Sequence, residues 1–248
     1  MKTIAIIPVR MGSSRFPGKP LKKINGTPMV ELIYKLISEN KSLFKVVVAT
    51  CDKEIFDHVK SMNGEVVMTS MKHQRASDRT AEALVKCEKK YNTRFDVVVM
   101  VQGDEPMVDK FMIQKSIEPF KKDKKINVVN LISKIKNKKI MTDPNCIKVV
   151  KNLKNEALYF SRSPIPYNEK DNKSFYGYKQ VCIIPFKRDF LLKYINLKPT
   201  VLEKIESVDM MRILENGYSV NLVEIFKETF PVDTLNDLKN VIKIINAK

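Results

Sequence analysis

Apolar and polar residues alternate between two patterns in the first half of the chain. Short runs of β-branched residues predict buried strands at 4–8, 45–50, 65–69 and 96–102. Helical spacing of apolar residues predicts helices between them at 28–40, 52–63 and 77–91, with Ser77 as the N-cap of the last. Strands that are apolar throughout and alternate with helices are typical of a parallel sheet covered on both faces.

The pattern changes after about residue 125. Strands are predicted at 127–132, 147–151, 157–160, 181–186 and 219–226, and helices at 203–215 and from Asn236 onward. Helices between the first of these strands are short or missing. We therefore expect one α/β domain over residues 1–248, with a mainly parallel sheet in the first half and a smaller β-rich region in the second.

Composition and charge narrow the class of protein. The 248 residues carry 45 Lys and Arg against 28 Asp and Glu, a net charge of +17, but the lysines are spread over the whole chain and Trp is absent. This distribution favours a solvated basic surface over a nucleic-acid interface, and it is compatible with an anionic small-molecule substrate. The four cysteines lack CxxC spacing, which indicates reduced thiols and no zinc site. We expect a cytoplasmic protein without a secretory leader or membrane span.

The loop after the first predicted strand combines small residues with cations. Its backbone N–H groups can cradle an anion, and its guanidinium and ammonium groups can neutralise one. It matches neither a Walker loop nor GxGxxG. A tight turn whose cations face solvent is the alternative. The candidate residues are Arg10, Gly12, Ser13, Ser14, Arg15 and Lys19.

A carboxylate follows the most apolar predicted strand. Asp104 lies in the segment VQGDEP, where a parallel sheet opens to solvent. Facing a triphosphate, it would be a natural magnesium ligand, since this ion takes one or two carboxylates and completes its shell with phosphate and water. The alternative is that Asp104 and Glu105 cap a turn.

Several motifs follow one another along almost the whole chain. They are IIPVRMGSSRFPGKPL at 6–21, HQRASDR at 73–79, VQGDEP at 101–106, DPNCIKVV at 143–150, ALYFSRSPIP at 157–166, LEKIE at 202–206 and VDT at 232–234. In this order they resemble the 3-deoxy-manno-octulosonate cytidylyltransferases, also called CMP-KDO synthetases. The resemblance implies a Rossmann-like nucleotidyltransferase fold and a dimer. It also implies an enzyme that joins CMP from CTP to an acidic sugar and releases pyrophosphate. Such an enzyme serves the synthesis of lipopolysaccharide or another surface polysaccharide.

The resemblance also implies roles for individual residues. Asp104 and Asp233 would bind Mg²⁺, and Lys19 and Arg15 would neutralise charge on the reacting phosphates. The CTP site would comprise Arg10, Gly12, Ser13, Ser14, Arg15, Lys19, His73, Ser77, Arg79, Gln102 and Gly103. The acceptor site would comprise Arg75, Arg162, Gln180, Glu206 and Asp209. On this reading residues 1–125 hold CTP, and residues 126–248 serve the acceptor and dimerisation.

The chain departs from the family pattern on the acceptor side. Arg75, Gln180, Ile184 and Met210 stand where the family has other residues, several of them polar. Polar groups matched to a substrate hydroxyl discriminate strongly, so these departures predict that 3-deoxy-manno-octulosonate is a poor acceptor. A related 2-keto-3-deoxy acid, or another anionic acceptor, would then be preferred. A sugar-1-phosphate nucleotidyltransferase and a non-catalytic nucleotide- or nucleic-acid-binding protein remain alternatives.

Overall fold

The computed structural model describes residues 1–13, 15–169 and 176–247. It divides the chain into two compact units. The first is formed by Met1–Gln114 together with Thr229–Lys248, and the second by Lys115–Glu228. The first unit is thus assembled from both ends of the chain.

The first unit is built on parallel strands with intervening helices. Its strands are β1 (Thr3–Pro8), β2 (Lys23–Ile24), β3 (Thr27–Pro28), β4 (Lys45–Thr50), β5 (Val66–Met68) and β6 (Val97–Val101). Its helices are α1 (Met29–Ser38), α2 (Lys53–Ser61), α3 (Ala76–Tyr91), the start of α4 (Lys110–Lys122) and, after the second unit, α9 (Leu235–Asn246); a short 3₁₀ turn spans Lys19–Leu21.

The sheet of the first unit confirms the predicted α/β class. β1 lies between β4 and β6, β5 pairs with the outer side of β4, and all these pairings are parallel. Residues 4–7 of β1 are completely buried, as are residues 98–101 of β6. The apolar runs therefore form the centre of a covered sheet, and the carboxyl ends of β1 and β6 lie side by side.

The second unit contains a mostly antiparallel sheet. The strands of this unit are β7 (Val129–Ile135), β8 (Lys148–Lys151), β9 (Ala157–Ser161), β10 (Gly177–Val181), β11 (Ile183–Lys187) and β12 (Asn221–Ile225), of which β11 is not part of the antiparallel sheet. Its helices are the end of α4, α5 (Lys138–Thr142), α6 (Arg188–Tyr194), α7 (Val201–Glu206) and α8 (Asp209–Glu215). The strand order is β12-β7-β10-β8-β9, and only β12 and β7 run parallel. The predicted β-rich second half is confirmed.

Some predicted elements differ from the structure. The single helix predicted at 203–215 is wrong, because the chain turns at Ser207 with φ +52° between α7 and α8. The strand predicted at 181–186 corresponds to β11, while Val181 ends the separate strand β10, and Cys182 lies between them. Helix α4 was not predicted; its start is marked by Asp109, whose Oδ1 accepts the N–H of Met112 at 2.9 Å.

Candidate functional site

A cavity of about 380 Å³ opens in the first unit at the carboxyl ends of β1 and β6. Cationic side chains outnumber carboxylates among the described residues that line it, so the cavity suits a polyanion. The lining comprises Pro8, Val9, Arg10, Gly12, Ser13, Arg15, Lys19, Pro20, His73, Gln74, Arg75, Ala76, Arg79, Gln102, Gly103, Asp104 and Asp233.

Most of the residues predicted for the nucleotide lie in this lining. Of the others, Ser14 lies outside the described residues. Ser77 is completely buried inside the first turn of α3, and Arg75 takes the N-cap position predicted for Ser77. The lining also includes Gln74, a polar residue that the sequence analysis did not single out.

Lys19 connects the two predicted metal-binding carboxylates. Its Nζ lies 3.1 Å from Asp104 Oδ2 and 3.3 Å from Asp233 Oδ1. Burial of the ammonium lowers its pKa, but the two carboxylates more than compensate and raise the pKa of Lys19 above its ordinary value. Arg15 NH2 approaches the same oxygen of Asp233 at 3.0 Å. The ammonium therefore occupies a position where two carboxylates favour positive charge.

Backbone contacts bring the two carboxylates together across the sequence. The N–H of Val232 donates to the carbonyl oxygen of Asp104 at 2.9 Å, which places Asp233 beside the end of β6. Asp233 is then held by the start of α9, because its N–H donates to Asp237 Oδ2 at 3.1 Å. Thr234 and Asp237 form a capping box at this helix start.

Gly103 allows the chain to pass close to β1. A Cβ at this position would lie 2.1 Å from Val9 Cγ1 and 3.5 Å from the carbonyl oxygen of Pro8. A larger residue would push apart the two strand ends from which the loop after β1 and Asp104 arise. The glycine in VQGDEP is therefore required for packing and sets the place of Asp104.

Asp104 retains an oxygen for a further contact. Its Oδ1 is buried and has no hydrogen-bond partner within the part of the chain that the structure describes. A buried unsatisfied carboxylate oxygen is costly unless a ligand satisfies it. No group of three or more His, Cys, Asp or Glu side chains that could hold a metal occurs among the described residues.

One wall of the cavity is fixed from α3. Glu82 Oε2 accepts the N–H of Ser70 at 2.9 Å and also contacts His73 Nε2. Partial burial raises the pKa of this carboxyl, but the hydrogen bonds from Lys86, Ser70 and His73 prevail and lower it to about 2. Glu82 lies behind the lining and was not predicted, since nothing in the sequence near it marks a contact to the preceding loop.

Arg79 presents a buried donor at the same wall. Only 3% of this residue is exposed. Its NH1 donates to Thr69 Oγ1, while NH2 is buried and lacks a hydrogen-bond partner among the described residues. A buried guanidinium with an unsatisfied N–H in the lining of a cavity is suited to binding an acceptor oxygen of a ligand.

The other predicted acceptor residues lie in the second unit and are engaged within it. Arg162 donates from Nε to the carbonyl oxygen of Glu206 at 2.7 Å and from NH1 to that of Pro144 at 2.8 Å. The carboxylate of Glu206 accepts the backbone N–H of Arg162 at 2.9 Å. Gln180 Nε2 donates to Asn130 Oδ1. Asp209 begins α8.

Two of the departures from the family pattern are core residues. Ile184 is 2% exposed and Met210 is 1% exposed, so both side chains are buried. Their identity follows from packing, and they give no support to an altered acceptor.

Among the described residues, no helix is long and apolar enough to cross a membrane.

Comparison with known proteins identifies the family. A sequence profile of the cytidylyltransferases matches residues 4–228. A 3-deoxy-manno-octulosonate cytidylyltransferase from Fusobacterium nucleatum is 40% identical over 245 residues, which cover 99% of this chain and 97% of the relative. One from Geobacter metallireducens is 38% identical over 253 residues, which cover 98% and 97%.

Solved structures agree with this result. CMP:2-keto-3-deoxy-manno-octonic acid synthetase complexed with CTP matches with a TM-score of 0.89 at 33% identity, over 100% of this chain and 99% of that one. A cytidylyltransferase from Leptospira borgpetersenii, at 18% identity and a TM-score of 0.64, shares the fold. The resemblance inferred from the motifs is confirmed. The chain belongs to the cytidylyltransferase family and is a nucleotidyltransferase similar over its whole length to the 3-deoxy-manno-octulosonate cytidylyltransferases.

Proposed function

We propose that this enzyme transfers CMP from CTP to 3-deoxy-manno-octulosonate, with Mg²⁺, and releases pyrophosphate. The anomeric hydroxyl oxygen of the sugar bonds to the α-phosphorus, the bond to the bridging oxygen breaks, and the hydroxyl proton passes to water. The observation that carries the proposal is the contact of Lys19 with Asp104 and Asp233 in a cation-lined cavity at the strand ends. Relatives that match the chain from end to end bear the name of this activity.

The loop after β1 would hold the triphosphate. Arg10, Gly12 and Ser13 line the cavity, where the guanidinium of Arg10 would donate to phosphate oxygens, whereas the N–H of Ser13 is already bound to the carbonyl oxygen of Met11. Lys19 and Arg15 carry the charge that is needed as negative charge accumulates on the leaving pyrophosphate. His73, Arg79, Gln102 and Gly103 complete the proposed CTP site, whereas Ser77 would act only by supporting the wall from behind.

Asp104 and Asp233 fit a magnesium ion. Carboxylate oxygens are its preferred protein ligands, Asp104 Oδ1 is buried with no hydrogen-bond partner among the described residues, and the ammonium of Lys19 already marks a place favourable to a cation. When bound, the ion would neutralise phosphate charge and lower the pKa of the attacking hydroxyl. The two carboxylates would hold the ion, and Lys19 would remain as a donor to phosphate oxygens.

The proposed acceptor is the octulosonate. Arg75, which departs from the family pattern, lines the cavity. Its guanidinium is compatible with the carboxylate of an acid sugar. The roles predicted for Arg162, Gln180, Glu206 and Asp209 in acceptor binding stay predictions, and Arg162 is held within the second unit by carbonyl groups. We further propose a cytoplasmic homodimer that supplies a surface polysaccharide pathway, as the family resemblance implies.

Pyrophosphate release tests the proposal directly. With Mg²⁺ and the octulosonate, CTP should be consumed at a kcat/KM above about 10⁴ M⁻¹ s⁻¹, the lower end of the ordinary enzyme range. Omitting the sugar should stop release, and ATP or GTP should not replace CTP. Equal turnover with ATP would contradict the assignment of the donor. A much higher kcat/KM with another 2-keto-3-deoxy acid would reinstate the prediction of a changed acceptor.

A further inference from the structure

Asp52 makes a contact that its position in the sequence does not suggest. It follows β4 and occupies the N-cap position of α2, yet its side chain caps none of the N–H groups of that helix. Its Oδ2 instead accepts the backbone N–H of Met11 at 2.8 Å, 41 residues away in the sequence. The thiol of Cys51 lies 3.5 Å from the same oxygen. An N-cap aspartate normally satisfies its own helix, so here the carboxylate serves a different element.

The contact continues the pairing of β1 with β4 beyond the end of the strands. The N–H of Val9 donates to the carbonyl oxygen of Ala49 at 2.9 Å. Two residues after Val9, the N–H of Met11 donates to the side chain of Asp52, which follows β4. A carboxylate accepting a backbone N–H forms a stronger bond than a neutral acceptor. The first residues of the loop are thus held at the edge of the sheet.

Met11 passes this restraint to the rest of the loop. Its carbonyl oxygen accepts the N–H of Ser13 at 2.8 Å and that of Gly18 at 3.1 Å. Gly18 has φ +71°, a conformation that glycine adopts without strain, and it directly precedes Lys19. Both polar groups of the Met11 peptide are therefore used, one toward Asp52 and the other to close the loop.

The chain of contacts ends at the reacting groups. Lys19, which follows Gly18, has its Nζ within 3.3 Å of both Asp104 and Asp233. Asp52 is absent from the described lining of the cavity, and its contact with the loop is the hydrogen bond to Met11. We propose that Asp52 is a positioning residue for the transfer reaction, which fixes the Met11 amide and thereby the place of Lys19. This inference rests on the proposed function.

The hydrogen bond and the charge of Asp52 can be separated. In Asp52→Asn an oxygen acceptor remains but the negative charge is lost, whereas in Asp52→Ala both are lost. If Asp52 positions the loop, Asn should replace it and Ala should not. If its negative charge acts on the bound triphosphate, Asn and Ala should behave alike. Glu54→Ala is the matched control, since Glu54 is an exposed acid in the first turn of the same helix.

Steady-state pyrophosphate release gives the first readout. Misplacing a reacting group by about 1 Å can cost on the order of a hundredfold in rate, so kcat of Asp52→Ala should fall by roughly ten- to a hundredfold. KM for CTP should change less, because Lys19 acts mainly on transition-state charge. Asp52→Asn should retain most of kcat, and Glu54→Ala all of it. A kcat of Asp52→Ala equal to that of Asp52→Asn or of Glu54→Ala would overturn the proposal.

Hydrogen exchange at the Met11 amide gives a second readout that needs no activity. The amide should exchange faster in Asp52→Ala than in Asp52→Asn or the wild type, while the melting temperature shows whether each variant is folded. If Asp52→Ala does not fold, Asp52→Ser, which carries a shorter acceptor, takes its place with the same expectation. An unchanged exchange rate at Met11 would overturn the proposal that Asp52 fixes this amide. If the wild type shows no CTP-dependent pyrophosphate release, the proposed function is contradicted. The exchange measurement then still tests whether Asp52 holds the Met11 amide.

Discussion

The N–H of Val232 donates to the carbonyl oxygen of Asp104 at 2.9 Å, so the segment before α9 is fixed to the end of β6. Asp104 and Asp233 are 129 positions apart by their numbers in the chain, yet both reach Lys19 Nζ. Because a backbone contact sets this geometry, substituting either carboxylate should change the chemistry and leave the fold in place.

Asp104→Asn and Asp233→Asn should each reduce kcat by about a hundredfold or more, since outer contacts of a metal ligand alone are worth about ten- to a hundredfold. Each substitution removes a negative charge proposed to hold Mg²⁺, with little change in size. The assay is pyrophosphate release over a range of Mg²⁺ concentrations. Asp57→Asn, an exposed aspartate paired with Lys53 on α2, is the control. A normal rate in Asp233→Asn would show that this position does not hold the metal.

Lys19→Ala should lower kcat more than it raises KM for CTP. The ammonium is proposed to neutralise charge that grows in the transition state, and losing such an interaction appears mainly in kcat. Steady-state kinetics with varied CTP separate the two constants. Lys53→Ala removes an exposed lysine of the same unit and should leave both unchanged. An increase in KM alone would assign Lys19 to ground-state binding of CTP.

Gly103→Ala should lower both stability and activity. The new Cβ would lie 2.1 Å from Val9 Cγ1, so either the Val9 side chain or the strand ends must move, and overpacking of this kind typically costs about 1–3 kcal/mol. Thermal denaturation measures the loss. Gly12→Ala is the matched control for stability, because a Cβ at Gly12 would meet nothing within 4 Å. Equal melting temperatures for the two variants would contradict the packing role of Gly103.

Glu82 should make the free energy of unfolding depend on pH in the acid range. Its pKa is lowered from 4.5 to about 2 in the folded state, so its stabilising effect is fully present above pH 4.5 and is lost as the pH falls toward 2. The free energy of unfolding of the wild type should therefore exceed that of Glu82→Gln at neutral pH, and the two should converge between pH 4.5 and 2. Denaturant titrations at several pH values test this. A difference that does not change with pH would show that the charge of Glu82 is unimportant.

The pair Glu203 and Arg212 should contribute strongly to the second unit. Arg212 donates from Nε and NH2 to the two carboxylate oxygens of Glu203 at 2.7 and 2.6 Å, and both side chains are almost fully buried. Arg212→Met leaves a buried carboxylate without its cation and should cost about 3–5 kcal/mol. The double substitution with Glu203→Leu should recover much of this loss in urea denaturation. No recovery would mean that the arginine stabilises by other contacts.

The sequence predicted those elements that are determined by residues close together in the chain. The strand at 96–102 has no polar residue in its apolar core, and the cations near Lys19 follow a strand directly, so both could be placed from the sequence. Ser207 could not, because nothing in LEKIESVDMMR marks a left-handed residue between two helices. The helix break is instead supported from a distance by Arg162, which binds the carbonyl oxygen of Glu206.

The site shows the same limit. Lys19, Asp104 and Asp233 were predicted from motifs, and the structure brings them together. Contacts that hold the motifs in place, such as Glu82 with Ser70, join residues that no spacing rule connects. Ile184 and Met210 show the converse error: residues that differ from a family pattern were interpreted as substrate-facing, although they are buried.

The chain leaves the first unit after Gln114 and returns to it only at Thr229. During synthesis, proteins emerge from the N-terminus, and domains fold as units. The ribosome must therefore produce the whole of Lys115–Glu228 before Val232 can bond to Asp104 and Asp233 can face Lys19. A nascent chain stopped inside the second unit would carry the cationic loop but only one of the two carboxylates. A chain that stops before Asp233 would thus lack a proposed metal ligand and would not be competent for transfer.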